Sequence, residues 1–403
     1  MVKELFQQTL IETALNVSQS RIEAVMKKKI TKSGCRVYKD GFLGIAGTLG
    51  EAKDKTWTEA ESNLSKKISY PFEPEKNRKR IRDLRAQTIS EQDFVKEMEE
   101  LLHILHQEYP DFIFSNKIKL IESEILLRND TGLDYINYDR SIELGLLVKH
   151  VDSVSIFDTG IFYSSRSLEA DKILREARQV LEGFKKEITL PQQEKMLVVI
   201  HQSVLLSKVI ESLNGENVGL GTSLFCDNMG TRAFDDSFSV YQDRTEEKQH
   251  TPFFDMEGVV NSEDQVMLID EGVILKAYTD KKQSATFSFP VTGSAGGGYD
   301  DVPSLGYADL SILPGEKTLT ELLQGEYGVM VIMASGGDYS SEGNFASPVQ
   351  MAYLTDGEQL LGRLPELNIS GNMYDIFGED FVGVSKDKPL MGERALVVRM
   401  KIG

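Results

Sequence analysis

The chain has little cysteine, little histidine and no long apolar run. Only Cys35 and Cys226 occur in 403 residues, which excludes a disulfide framework and the paired CxxC spacing of zinc fingers and redox sites. The longest apolar runs, such as Met196 to Ile200, are far shorter than the roughly 20 residues that cross a bilayer. We therefore expect a cytoplasmic protein without a transmembrane helix.

Positive charge is also scarce. The sequence has 45 lysines and arginines against 63 aspartates and glutamates, a formal net charge of −18. A molecule of that sign repels nucleic-acid phosphates and anionic membrane surfaces. We therefore expect neither nucleic acid nor a membrane as a partner.

Charge and glycine are distributed unevenly along the chain. Residues 1–190 carry 30 basic and 31 acidic side chains and 9 glycines, whereas residues 191–403 carry 15, 32 and 24. Dense glycine is typical of turns between short strands. We predict an α+β amino-terminal domain over 1–190, followed by a β-rich carboxyl-terminal domain over 191–403 with curved antiparallel sheets.

Local patterns predict several elements. The opening decapeptide MVKELFQQTL is typical of the start of a helix. Ser90 to His106 is the clearest helix, with Ser90 as a cap and an apolar stripe behind it. Arg36 to Gly47 has the form of a hairpin around an Asp-Gly turn. Leu144 to Phe157 and Val273 to Tyr278 are predicted strands.

The five histidines contain no HExxH metal motif. His103 and His106 share a polar helix face with Glu99 and could hold a metal loosely, but a solvated face is the commoner role. His201 ends an apolar run and is interpreted as a core histidine. His250 lies in a polar loop with no evident partner.

Two other segments suggest ligand sites when taken alone. The glycine-rich run 293–298 lacks the Lys-Ser/Thr of a Walker loop, so a flexible turn, or a place where another backbone approaches, is favoured. The basic run from Lys76 to Arg85 suggests a nucleic-acid patch, but it lacks interleaved aromatics. A solvated helix start or an interdomain segment is favoured there.

Asp255 and Glu257 lie two residues apart in FFDMEGV, at 253–259. In a strand, that spacing would point both carboxylates to one face, where a pair could do acid–base work. A structural turn is the commoner use of such a segment. The residues alone therefore identify no catalytic set.

The order of the motifs adds a resemblance. FFDMEGV is followed by LIDEGVILKAYTDKKQSA at 268–285, TGSAGG at 292–297 and GDYSSEGNFASPVQMAYL at 337–354. This series resembles the TldD/PmbA family, once called modulators of DNA gyrase. Upstream, the segment 21–47 with its RVYKDG core is similar to the family's amino-terminal segment, so the resemblance spans nearly the whole chain.

The resemblance implies a dimer around an internal cleft. TldD-type members are zinc peptidases that cut unfolded peptides with an HExxxH helix and a distal cysteine, and TldE/PmbA-type members lack that motif and pair with a TldD-type partner. Here the corresponding helix, at 203–215, contains no histidine, and residues 227–403 contain no cysteine. The resemblance thus implies a TldE/PmbA-like subunit with no metal or cofactor of its own, zinc being on the partner.

In that role no residue of this chain is expected to be catalytic or to bind metal. The residues expected at the cleft or the dimer seam are Asp255, Glu257, Gly258, Thr292 and Gly293. The expected partners are a TldD-like zinc subunit, a second copy of this chain, or both, and an unfolded peptide. Two alternatives stay open: a self-sufficient homodimeric peptidase that uses the paired carboxylates or an unusual metal, and a structural scaffold.

Overall fold

One large sheet organises the first half of the chain in the computed structural model, which describes residues 1–190, 193–306, 309–389 and 392–403. Its strands are β1 (Val2–Ser18), β2 (Arg21–Lys39), β3 (Phe42–Leu49), β4 (Ile68–Ser69), β5 (Lys79–Asp83), β6 (Phe112–Asn129), β7 (Asp134–His150) and β8 (Thr159–Ser165). The helices are α1 (Asp54–Asn63), α2 (Glu91–Glu108) and α3 (Ala170–Phe184). The strand order is β4-β3-β2-β1-β6-β7-β5, and β8 pairs with β7.

The opening segment departs from its sequence-based prediction. Instead of a helix it forms β1, which pairs antiparallel with β2 from Val2 to Ser18 and with β6 from Glu4 to Val17. Its leucine, glutamate and glutamine residues favour a helix locally, but that preference is weak. Backbone hydrogen bonds to a strand on each side outweigh it, so the prediction of a helix there is wrong.

Two local predictions are confirmed. Asp40 and Gly41 make the hairpin turn between β2 and β3 with φ values of +50° and +79°, because a two-residue turn of this kind needs left-handed backbone at both positions. The Ser90 hydroxyl caps α2 by accepting a 3.2 Å hydrogen bond from the backbone N–H of Asp93. Both signals are short-range, and so both are readable from the sequence.

The helices α2 and α3 cover one face of the sheet. The apolar stripe predicted for α2 is buried there, and it consists of Phe94, Met98, Leu101, Leu102 and Leu105. These side chains pack with β6, β7 and the inner face of α3 in one apolar cluster. The predicted strand Leu144–Phe157 is wrong at both ends, because β7 already begins at Asp134 and ends at His150, after which the chain turns toward β8.

The second half is built mainly from short strands. They are β9 (Lys195–Ile200), β10 (Val240–Asp243), β11 (Gln265–Asp270), β12 (Val273–Ile274), β13 (Ala295–Gly296), β14 (Ser304–Leu305), β15 (Leu310–Ile312), β16 (Gly328–Ala334), β17 (Asp338–Tyr339), β18 (Asn344–Thr355), β19 (Leu360–Arg363), β20 (Leu367–Asn372), β21 (Phe381–Val384) and β22 (Leu396–Ile402). The helices are α4 (Gln202–Ser212), α5 (Gly215–Gly219), α6 (Lys281–Phe287), α7 (Leu319–Leu323) and α8 (Met373–Ile376). Short 3₁₀ turns occupy 64–66, 85–87, 226–228 and 262–264.

These strands form a large sheet, a smaller one and a two-stranded ribbon. The large sheet has the order β16-β9-β22-β20-β18-β17, with β19 on β18 and β21 on β22, and only its β9–β16 pair is parallel. The smaller sheet is β12-β11-β10-β15, and β13 pairs with β14. The predicted α+β class with a β-rich second half is confirmed. The predicted strand Val273–Tyr278 is short, because the N–H of Tyr278 donates instead to the carbonyl of Leu213.

No helix in the described parts of the chain is long and apolar enough to cross a membrane.

Candidate functional site

Asp255 and Glu257 lie in a tight turn and not in a strand, so the favoured interpretation of this segment as a structural turn is confirmed and the strand geometry for paired carboxylates is not formed. The Asp255 carboxylate organises the turn by accepting hydrogen bonds from the N–H groups of Glu257 (2.9 Å) and Val259 (2.8 Å). It also accepts from Ala295 at 3.0 Å. Gly258 completes the turn with φ +77°, a conformation that favours glycine.

The Glu257 side chain is buried. Its carboxylate accepts hydrogen bonds from the Tyr70 hydroxyl at 2.5 Å and from the Lys281 backbone N–H at 2.9 Å. Burial, together with the neighbouring charge of Asp255, raises the pKa of Glu257 to about 7. Burial also raises the pKa values of Asp255 and Asp280, so three acids share a poorly solvated region.

A second group of buried polar residues docks the amino-terminal sheet onto this turn. Arg36 of β2 donates a 2.6 Å hydrogen bond to the backbone carbonyl of Met256, and its guanidinium lies 3.5 Å from the carboxylate of Glu4. The Tyr38 hydroxyl donates to the same carboxylate at 2.9 Å. The side chains of Arg36 and Glu4 are 0% and 1% exposed, so this ion pair is removed from water.

Thr292 and Gly293 lie beside the same turn. The Thr292 hydroxyl accepts a 2.7 Å hydrogen bond from the N–H of Thr279, and the Gln242 amide donates to the Gly293 carbonyl at 3.0 Å. Gly293 has φ +70° and is packed against Val259. The bond from Ala295 to Asp255 then joins this segment to the turn.

The structure therefore brings all five expected site residues together. They form a hydrogen-bonded junction between the large amino-terminal sheet and the second half of the chain. The carboxylates of Asp255 and Glu257 are both used as acceptors inside that junction. The expectation that these residues line a cleft or a dimer seam stays a prediction.

Sequence reasoning missed Glu4, Arg36 and Tyr70 as members of this junction. Arg36 carried one readable signal, because it is a charged residue inside the apolar strand segment Cys35–Tyr38. Such a residue is almost never fully buried unless it is paired. Glu4 and Tyr70 offered no comparable signal, since their partners are distant in sequence.

The basic run forms a strand and not a helix start. β5 pairs in parallel with Asp134–Tyr138 of β7. Arg80 makes two hydrogen bonds of 2.6 and 2.5 Å to the Asp264 carboxylate. Arg82 is buried and donates to the backbone carbonyls of Arg244 and Thr251. These arginines thus connect the sheet with residues 244–264, as expected of a connecting segment.

The glycine-rich run makes the close backbone approach that was expected. Gly296 in β13 faces Gly306, where a Cβ would lie 2.8 Å from the Gly296 Cα. The loop that follows packs on β2, because a Cβ on Gly34 would lie 1.7 Å from the carbonyl oxygen of Tyr299. A side chain at Gly306 or at Gly34 would collide with the backbone that faces it, so glycine is required at both positions.

His250 and His201 have structural roles in this fold. The sequence showed no evident partner for His250, and the structure supplies two: its ring nitrogens each lie 2.7 Å from a hydroxyl, of Ser123 and of Ser141. Burial lowers the pKa of His250. His201 is the N-cap of α4 and accepts from the N–H of Ser203. Across the described ranges, no three His, Cys, Asp or Glu side chains are arranged to hold a metal ion.

The helix α4 carries a lysine on its inner side. Lys208 is 8% exposed, and its ammonium lies 3.0 Å from both carboxylate oxygens of Glu211. The same helix α4 carries three serines, Ser203, Ser207 and Ser212. A fixed ammonium repels a divalent cation, serine hydroxyls are not ligands that zinc prefers, and the one carboxylate on the helix, that of Glu211, is paired with Lys208. The residues of α4 therefore do not fit a zinc site.

Comparison with known proteins gives a consistent result. A family model described as the PmbA/TldA metallopeptidase C-terminal domain matches residues 193–396. A protein of Archaeoglobus fulgidus named a metalloprotease is 24% identical over 385 residues, which cover 92% of this chain and 88% of that protein. A zinc metalloprotease TldD homolog of Saccharolobus solfataricus is 30% identical over 122 residues, or 30% of this chain and 27% of that one.

Two solved structures share the whole fold. TldE from Thermococcus kodakarensis superimposes with a TM-score of 0.79 at 18% identity, covering 100% of this chain and 95% of that one. A Thermotoga maritima protein described as a candidate modulator of a DNA gyrase has a TM-score of 0.78 at 20% identity, with the same two coverages of 100% and 95%. At these identities the likeness shows the fold alone.

Proposed function

This chain belongs to the PmbA/TldD family, and we propose that it acts there as a non-catalytic subunit, similar to TldE, that completes the peptide cleft of a TldD-like zinc peptidase. One observation carries the proposal. In place of metal ligands, α4 presents the buried ammonium of Lys208, which is neutralised by Glu211. Zinc and the hydrolytic step then belong to the partner subunit.

The open edge of β2 offers a way to hold peptide. Within β2, the strand β3 covers only Lys32–Lys39, and no described strand pairs with the same edge from Arg21 to Ile30. Val25, Met26 and Ile30 are exposed on this stretch. An extended peptide that added a strand here would bind through main-chain hydrogen bonds, which require little sequence preference. That property suits unfolded substrates.

The cytoplasm is the proposed location. Both cysteines are unpaired, and Cys35 is buried inside the amino-terminal sheet. Free thiols persist in a reducing compartment.

Metal content and mass test the proposal directly. The full chain is purified without chelator or histidine tag, and its zinc is measured by mass spectrometry beside its mass in solution. We expect zinc well below one per chain. Zinc near one equivalent per chain would overturn the non-catalytic assignment.

The partner is tested by mixing the purified chain with a TldD-type zinc subunit. We expect a heterodimer whose cleavage of an unfolded peptide exceeds that of the zinc subunit alone. A stable homodimer that binds no such subunit and leaves its cleavage unchanged would contradict the proposal.

A self-sufficient peptidase is the second candidate, favoured by the raised pKa of Glu257 and its neighbour Asp255. Their burial and their hydrogen bonds to the protein fit a structural role better, because a catalytic carboxylate must reach its substrate. Purified chain that cleaves an unfolded peptide, and loses this activity on Glu257→Ala but not on Glu316→Ala, would establish this candidate. Glu316 is a suitable control because its side chain is 94% exposed.

A further inference from the structure

One face of α3 is turned away from the core of the amino-terminal sheet. Ile173, Leu174, Ala177 and Leu181 are buried in that core. The remaining side carries Lys172, Arg175, Glu176, Gln179 and Val180, whose spacings of three, four, seven and eight residues place them on one helical face. This charged face lies opposite β16 and the turn before β19.

A cavity of about 370 Å³ lies between this face and the carboxyl-terminal sheet. That volume is in the range of small-molecule sites. Its apolar walls are mostly aliphatic, from Ile161, Val180, Leu319, Met330, Ile332 and Leu360, with Phe162 as the one aromatic residue. The cavity therefore suits an apolar side chain such as that of leucine.

The charged groups at the cavity are poorly satisfied by the protein. The carboxylate of Glu176 has no hydrogen bond from the described residues, and its nearest cation is the ammonium of Lys172 at 3.9 Å. Arg175 makes no ion pair with any described acid. Glu176 is partly buried, where a charged side chain is ordinarily paired, whereas Arg175 is exposed and its guanidinium is free to bind an anion. A carboxylate and two cations of α3 thus meet at one cavity, whose lining also includes Glu358, Asp387 and Lys388.

We infer that this cavity binds an aliphatic α-amino acid as a zwitterion, either free or as a dipeptide. Its ammonium group would bind the Glu176 carboxylate, and its carboxylate would bind Lys172 and Arg175, where an arginine can make two parallel hydrogen bonds. The aliphatic side chain would pack on Met330 and Ile332. This inference does not rest on the proposed zinc partner, since every residue in it belongs to this chain.

Glu176 itself supports this assignment. Its pKa is raised to about 7, because the effect of burial outweighs the opposite effect of the charges on Lys172 and Arg175. An ammonium ligand would favour the ionised carboxylate. Binding at about pH 6 should therefore release protons from Glu176, whereas binding at about pH 8 should not.

Calorimetry on the full chain tests the site with L-leucine and L-leucyl-L-leucine as probes. N-Acetyl-leucine lacks the ammonium and leucine amide lacks the carboxylate, so both should bind at least about tenfold more weakly than leucine. Comparing leucine with the dipeptide distinguishes a free amino acid from a peptide product. Repeating the titration near pH 6 in two buffers of different ionisation heat measures the proton release.

Matched variants separate recognition from folding. Glu176→Gln and Arg175→Gln should each weaken leucine binding about tenfold or more, while Glu182→Gln, on the same helix but outside the cavity, should bind as the native chain does. Thermal unfolding without ligand shows whether each variant is folded. No saturable binding of either probe by native chain at millimolar concentration would overturn the inference. Equal binding by native chain, Glu176→Gln and Arg175→Gln would do so too.

Discussion

The hydroxyl of Tyr70 donates a 2.5 Å hydrogen bond to the carboxylate of Glu257, which lies 187 positions further along the chain. Neither residue has much contact with solvent. The bond links the segment after β4 to the turn that carries the most distinctive motif of the sequence. Substitution of either residue therefore tests how much this junction between the two halves of the chain contributes to stability.

Tyr70→Phe should lower the free energy of unfolding by about 1–3 kcal/mol at about pH 8, because it leaves a buried, largely ionised carboxylate without one of its donors. Urea unfolding followed by circular dichroism measures the difference. Tyr327→Phe is the matched control, since Tyr327 is 53% exposed and its hydroxyl makes no hydrogen bond with any residue that the structure describes. Equal losses in both variants would show that the bond to Glu257 contributes nothing specific.

The pH dependence of stability should carry the signature of Glu257. Its pKa is about 7 in the folded chain against an ordinary value of 4.5, so the folded state holds the proton more tightly. The stability that this group contributes is full below about pH 4.5 and is lost as the pH rises through 7. The loss is on the order of 3 kcal/mol.

Glu257→Gln should remove this dependence. Stability of the native chain minus that of the variant should fall between about pH 5 and pH 8. Urea unfolding at several pH values supplies both curves. Curves that stay parallel across this range would contradict the raised pKa.

Gly34→Ala should destabilise the chain by several kcal/mol or prevent folding, because the added Cβ would lie 1.7 Å from the carbonyl oxygen of Tyr299. Gly145→Ala in the same sheet is the control. Its Cβ would find its nearest neighbours at 3.9 Å, so it should be neutral or slightly stabilising. Thermal unfolding of the two variants checks the contrast, and similar behaviour would mean that the loop at Tyr299 yields.

The two thiols should differ sharply in reactivity. Burial raises the pKa of Cys35 to about 11, and this thiol is inaccessible, whereas Cys226 is only half-buried. A thiol reagent at about pH 8 should label one cysteine in the native chain and both in urea. Rapid labelling of Cys35 in the native chain would indicate that the β2–β3 hairpin opens readily.

Prediction from sequence succeeded where the determining signal is local. The Asp40-Gly41 turn and the Ser90 cap are such cases, since a left-handed turn and a cap depend on a few adjacent residues. The same reasoning failed at β1, where local preference favours a helix and two neighbouring strands decide the outcome. At Asp255 and Glu257 the sequence favoured a structural turn, and hydrogen bonds within that turn are what the structure shows.

The sequence by itself determined the α+β class, the β-rich second half and the family resemblance. Composition, turn residues and motif order can be read without knowing which distant residues come into contact. It also determined that α4 lacks histidine. Only the tertiary structure decided that Arg36, Tyr70 and Glu257 share one buried junction, and that Glu176 faces a cavity beside two cations. Burial and pairing between distant residues set these charges and contacts, and no local pattern encodes them.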